Sequence, residues 1–176
     1  LEHADPLLKV TIVPRGNGAL GFAQYLPKEI ALRTKEQIMD IVCMALAGRA
    51  SEELHFGNVT TGASDDLRRV TAMVYQMIQV YGMNDRIGNL SFPPPDGQMA
   101  TQRPYSEQKA EQVDDEVRQL VNEAYARTVD LLTSKKELAG ELAALLLDKE
   151  VIHREDVVKV LGERQWKEAS TYAELA

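Results

Sequence analysis

A single change of hydrophobic period at Thr34 constrains this chain more than any other feature. Before it, Lys9 to Pro14 alternates apolar and polar side chains and is rich in β-branched residues, the pattern of a short half-buried strand ended by a proline. Arg15-Gly16-Asn17-Gly18 supplies a turn, and a second extended run from Ala19 to Leu26, carrying Phe22 and Tyr25, is closed by Pro27. After it, Ile38, Ile41, Val42, Ala45 and Leu46 fall on one stripe at a period of about 3.6 residues, behind Thr34-Lys35-Glu36-Gln37, which has the pattern of a capping box. The predicted fold is therefore mainly α and bundle-like. Its small β element lies near the N-terminus, with two or three strands drawn from the first thirty residues.

The same period predicts helices over about 34–54, 64–82, 106–132, 136–148 and 154–161. Leu67, Val70, Val74, Met77, Ile78 and Tyr81 mark the second, which ends near Gly82. Asn84 to Pro104 contains Pro93-Pro94-Pro95-Asp96-Gly97, which neither a helix nor a central strand tolerates, so it is read as a long exposed loop. Residues 1–162 form the expected domain with its small sheet at 9–27, and 163–176 a polar tail with Trp166 that frays.

Twenty Lys and Arg against twenty-seven Asp and Glu give a net charge of -7, which repels phosphate backbones and argues against a nucleic-acid partner. The one cysteine, Cys43, lies among Ile41, Val42, Met44 and Leu46 and reads as a small buried hydrophobe. No apolar run approaches the roughly 18 residues of a membrane span, so any anchor is expected outside this sequence. The first residue is not Met, and the chain is expected to begin inside a larger protein.

Chemistry-bearing residues are few. Asp65 and Asp66 follow Thr61-Gly62-Ala63-Ser64 at a helix start, where the macrodipole favours carboxylates without any function being required. Asp66 precedes Leu67 and lies four before Val70, so it borders the buried stripe, whereas Asp65 points more to solvent. Glu52 and Glu53 form another acidic pair near the end of the preceding helix, readable as solvated surface. His3, His55 and His153 are isolated, and none has the i, i+4 partner of a zinc-binding helix; they read as surface or capping residues.

Four ordered motifs nevertheless carry a resemblance. Pro6-Leu7-Leu8-Lys9-Val10-Thr11-Ile12-Val13-Pro14-Arg15-Gly16, Ala19-Leu20-Gly21-Phe22-Ala23-Gln24-Tyr25-Leu26-Pro27, Ala47-Gly48-Arg49-Ala50-Ser51-Glu52-Glu53 and Thr60-Thr61-Gly62-Ala63-Ser64-Asp65-Asp66-Leu67 look like the second part of the peptidase domain of FtsH-type, membrane-anchored, ATP-dependent zinc metalloproteases. The first ten residues most resemble the mitochondrial m-AAA branch, paraplegin-like and Afg3-like. The resemblance implies a mitochondrial inner-membrane location, with chloroplast or bacterial membranes as the alternative.

A catalytic zinc takes three protein ligands and one open position for water. In this family two ligands and the general base come from a His-Glu-x-x-His helix and the third is a later Asp, which falls on Asp66. Glu53 and Asp65 are the candidates for a carboxylate supporting a ligand histidine. No His-Glu-x-x-His occurs in the sequence; the family carries it upstream of the position matching Leu1, so this chain by itself is predicted inactive. The resemblance further implies ATP and Mg bound by an AAA module outside the chain, homo- or hetero-hexameric rings, and unfolded or misassembled membrane proteins as substrates. Gly21, Phe22, Ala23 and Gln24 are candidates for a strand that pairs with extended substrate, against ordinary pairing with Lys9 to Val13. Two other readings stand: a catalytically inactive family member serving as a structural subunit of the ring, and an unrelated acidic helical interaction module.

Overall fold

The structure, a computed structural model, describes residues 1–14, 21–26, 32–92 and 105–166. The chain divides into two compact units, residues 1–33 with 132–176, and residues 34–131. The Arg15 to Gly18 turn, Pro27 and the Pro93 to Gly97 segment lie outside the described residues.

In the helical unit, α1 runs from Lys35 to Phe56, α2 from Ser64 to Gln79 and α3 from Glu107 to Ser134, its last residues crossing into the other unit. The capping box at the start of α1 is formed: the Gln37 N–H donates to Thr34 Oγ1 at 3.3 Å and the Thr34 N–H to Gln37 Oε1 at 2.9 Å. Thr34→Ala is expected to lower stability by about 1 kcal/mol, read as a shift in the denaturant midpoint with an unchanged slope. The buried stripe of α1 is tighter than expected. Ile38, Val42, Leu46 and Ala50 are buried at strict four-residue steps, while Ile41 and Ala45 are half-buried. On α2 the buried set is Val70, Val74, Met77 and Ile78, and on α3 it includes Val113, Val117, Leu120 and Ala124. Each of the Val, Leu, Ile and Met side chains among these contributes about 1.5–3 kcal/mol on removal from water. Cys43 is buried, its Sγ 3.5 Å from the Ala124 carbonyl.

Polar groups in this unit are paired across long sequence distances. Arg127 on α3 meets the buried carboxylate of Asp40 on α1 at 2.7 Å. α2 stops at Gln79 with Val80 at its C-cap, short of the expected 82. Past Gly82, at φ 62°, Asn84 Nδ2 donates to Glu116 Oε2 at 2.7 Å and Arg86 Nη1 to Glu116 Oε1 at 2.5 Å. Asn84 Oδ1 in turn accepts from the backbone N–H groups of Arg86 and Ile87 at 3.0 and 3.1 Å, so one buried carboxylate pins a whole turn.

In the other unit, β1 (Leu7–Thr11), β2 (Phe22–Tyr25) and β3 (Val151–His153) form an antiparallel sheet ordered β2-β1-β3. The third strand does not come from the first thirty residues, as the sequence suggested, but from between α4 (Lys136–Lys149) and α5 (Arg154–Leu161). Three residues are too few to display a period of two, and the strand's partner, β1, lies at the other end of the sequence. Glu150, in the left-handed region at φ 57°, turns the chain out of α4, and its carbonyl accepts the Ile12 N–H at 3.1 Å. The tail also departs from expectation at its start: Arg164 Nη2 donates to the carbonyls of Leu1, Glu2 and Ala4 at 2.9, 3.1 and 2.7 Å, so residue 164 is tied down. Residues 167–176 lie outside the described set. None of the described helices is long and apolar enough to cross a membrane.

Candidate metal-ligand site at the start of α2

The site is assembled where α1 hands over to α2. Gly57, at φ 66°, terminates α1 with its N–H donating to the Glu53 carbonyl at 3.0 Å. A 3-10 turn over Thr61–Ala63 follows, N-capped by Thr60, and runs directly into α2 at Ser64. Asp65 and Asp66 therefore both stand in the first turn of α2.

Their surroundings differ. Asp65 is 78% exposed and pairs with Arg68 at 2.8 Å. Asp66 is 44% exposed and its ion pair with Arg69 is loose at 3.8 Å, a separation at which an exposed pair is worth about 0–1 kcal/mol. Leu67 beside it is half-buried and Val70 fully buried, so Asp66 does border the apolar stripe. An anionic oxygen at this position is a chemically suitable zinc donor and is weakly engaged by protein. It is one donor, not a site: among the described residues no three His, Cys, Asp or Glu side chains converge to hold a metal ion.

The other candidates have definite partners. Glu53 accepts a short hydrogen bond from the Tyr125 hydroxyl of α3. Burial pushes that phenol's pKa up, and the Glu53 hydrogen bond and charge add to the effect against Arg49. Glu52 receives the Thr60 N–H on Oε2 at 3.0 Å and the Thr60 hydroxyl on Oε1 at 2.9 Å. No local spacing rule connects residues eight apart across a helix end, so spacing alone presents Glu52 as surface. His55 Nδ1 lies 2.9 Å from the Ser51 carbonyl in the last turn of α1. His153 precedes α5, where its N–H donates to Asp156 at 3.2 Å, the capping position expected of it.

On the sheet, Gly21 lies so close to β1 that a Cβ there would meet the Thr11 carbonyl oxygen at 2.5 Å. Phe22 is half-buried, with Lys9 Nζ 5.7 Å above its ring, while Ala23 and Gln24 are exposed. Among the described residues, β2 pairs with β1 on one side and is the edge strand of the sheet on the other. Since the Leu26 N–H donates to the Pro6 carbonyl at 2.8 Å, antiparallel alternation turns the backbone groups of Ala23 and Tyr25 to the outer edge.

The chain matches the model of peptidase family M41 over residues 1–160, and it belongs to that family. It is similar to the mouse mitochondrial inner membrane m-AAA protease component AFG3L2, 57% identical over 175 residues, 99% of this chain and 22% of that protein. It is similar also to the rice mitochondrial ATP-dependent zinc metalloprotease FTSH 8, 54% identical over 95% of this chain and 20% of that protein. The ATP-dependent zinc metalloprotease FtsH of Parabacteroides distasonis is 49% identical over 94% of the chain and 24% of its own length. The chain thus spans about a fifth to a quarter of these relatives.

Proposed function

We propose that this chain is the later part of the peptidase domain of an ATP-dependent zinc metalloendopeptidase of the mitochondrial inner membrane, and that Asp66 is the zinc ligand it contributes. The observation that carries this is the half-exposed, loosely paired Asp66 in the first turn of α2, within a chain belonging to peptidase family M41. The location and the ATP-driven activity are supported by relatives named as mitochondrial inner membrane m-AAA components and as ATP-dependent zinc metalloproteases. Such a protein binds ATP and Mg in a module outside this chain, assembles into homo- or hetero-hexameric rings, and degrades unfolded or misassembled membrane proteins in quality control. Glu53, held by Tyr125, is the carboxylate that would support a ligand histidine, whereas Asp65, 78% exposed and paired with Arg68, stands apart from the ligand shell.

β2 is the proposed substrate strand, its outward backbone groups at Ala23 and Tyr25 available to an extended chain without reading its sequence. The full-length protein should degrade an unfolded casein-like substrate with ATP and lose this on zinc chelation, while residues 1–176 alone should not cleave with zinc added. Ala23→Pro removes one outward N–H and should raise KM for unfolded substrate severalfold with ATP hydrolysis unchanged. Cleavage by the isolated chain would sink the ligand assignment, and an unchanged KM the strand assignment. A full-length protein that assembles and hydrolyses ATP but never cleaves would establish the structural-subunit alternative.

A further inference from the structure

We propose that Glu52 is a positioning residue for Asp66, acting through Thr60; the inference rests on the ligand reading of Asp66 above. Glu52 uses both carboxylate oxygens on one residue, accepting the Thr60 N–H and the Thr60 hydroxyl. With its proton given to Glu52, Thr60 Oγ1 accepts from the Gly62 N–H at 3.2 Å. The chain of hydrogen bonds runs from the last turns of α1 to the 3-10 turn that opens α2, and Asp66 stands just four residues beyond Gly62.

Two further features make this relay more than loop decoration. α2 has no side-chain cap of its own, because its N-cap position is Ala63, so the order of its first turn is set one turn earlier at Thr60. Gly62 is also fitted to the relay, since a Cβ there would meet Thr60 Oγ1 at 3.2 Å and Glu52 Oε1 at 3.9 Å. Glu53 is not equivalent, being engaged by Tyr125 on α3 instead. The acidic pair thus divides its work: Glu53 ties α1 to α3, and Glu52 fixes the approach to Asp66.

The test compares Glu52→Ala, Glu52→Gln, Thr60→Val, the Glu52→Ala/Thr60→Val double variant and Asp66→Asn in the full-length protease. Amide hydrogen exchange at Thr60 and Gly62 and zinc retention against a competing chelator are read alongside ATP hydrolysis and hexamer content. Glu52→Ala is expected to speed exchange at both amides about tenfold and to weaken zinc retention roughly tenfold, the usual size for a group that orients a ligand. Thr60→Val should weaken zinc retention to a similar degree, and the double variant should add little, because the two act in one chain. Glu52→Gln, whose amide oxygen still accepts the Thr60 N–H, should recover part of the loss. Wild-type exchange and zinc retention in Glu52→Ala overturn the proposal, as does multiplication of the two single effects. Loss of zinc without faster exchange would overturn it too, by making Glu52 itself a ligand. Loss of zinc in Asp66→Asn but not in Glu52→Ala removes this inference alone, whereas normal zinc in Asp66→Asn removes the ligand reading beneath it. Should Glu52→Ala fail to assemble, Thr60→Val decides the matter by the same two readouts.

Discussion

If the proposed function holds, Asp66→Asn in the full-length protein is expected to abolish proteolysis or reduce it to a trace, with ATP hydrolysis and ring assembly retained. The substitution keeps the side chain's shape and removes its charge, and a neutral amide oxygen is a poor donor to a divalent cation. Little else should change, because among the described residues the ion pair lost is the loose contact with Arg69 at 3.8 Å. Asp65→Asn is the control: it breaks a closer pair, with Arg68 at 2.8 Å, yet both partners are 78% exposed, so the cost is about 0–1 kcal/mol and proteolysis should persist. Near-normal cleavage by Asp66→Asn, with cleavage lost instead in Asp65→Asn or Glu53→Gln, would reverse the assignment. Peptide hydrolysis and ATP turnover measured on the same preparations decide between these outcomes.

The largest loss of stability is expected at Glu116, whose side chain is 6% exposed. Glu116→Ala strips the buried amide of Asn84 of its acceptor, a penalty of about 2 kcal/mol; the Arg86 guanidinium, mostly exposed, turns to water and adds little. The carboxylate also makes stability depend on pH. The Asn84 hydrogen bond, against the opposing effect of burial and aided by the Arg86 hydrogen bond and charge and the Lys35 charge, holds its pKa below the ordinary value. A carboxyl whose folded pKa is depressed stabilises the fold above its unfolded pKa of about 4.3, and that contribution is lost as pH falls through the folded value. The stability gap between the native protein and Glu116→Gln should therefore be full at neutral pH and narrow steadily below about pH 4. A gap that stays constant from pH 7 to pH 3 in denaturant titrations would refute this reading.

What the sequence discloses depends on the distance over which the physics acts. The capping box at Thr34, the helical stripes and the order of exposure of Asp65 and Asp66 are set by residues within a turn or two of each other, and all are readable from spacing. Helix α5 has the expected bounds, and α4 and α3 extend one or two residues beyond theirs. β3 was not legible because its three residues become a strand only by pairing with β1. The same holds for Glu116 with Asn84 and Arg86, for Asp40 with Arg127, and for Glu52 with Thr60: each pairing spans a loop or a whole helix, and no residue type at a fixed offset announces it. Among the candidate site residues, the motif around Asp66 was visible, while the hydrogen-bonded approach to it was not.

The pairing of β1 with β3 joins Thr11 to Val151, about 140 residues later, and so delays completion of the sheet until well after its central strand has been made. At roughly 5–20 residues per second, the β1 edge waits on the order of ten seconds before its second partner has been made. During that interval the nascent chain carries an unfilled strand edge, a template for any extended segment nearby. The helical unit, built from residues 34–131, can form in the meantime because all of its own sequence has already emerged. Closure of the sheet is therefore a checkpoint on whether synthesis has passed Val151: a chain broken off before it would retain α1 to α3 and Asp66 but leave β1 open to capture by chaperones or by its own kind.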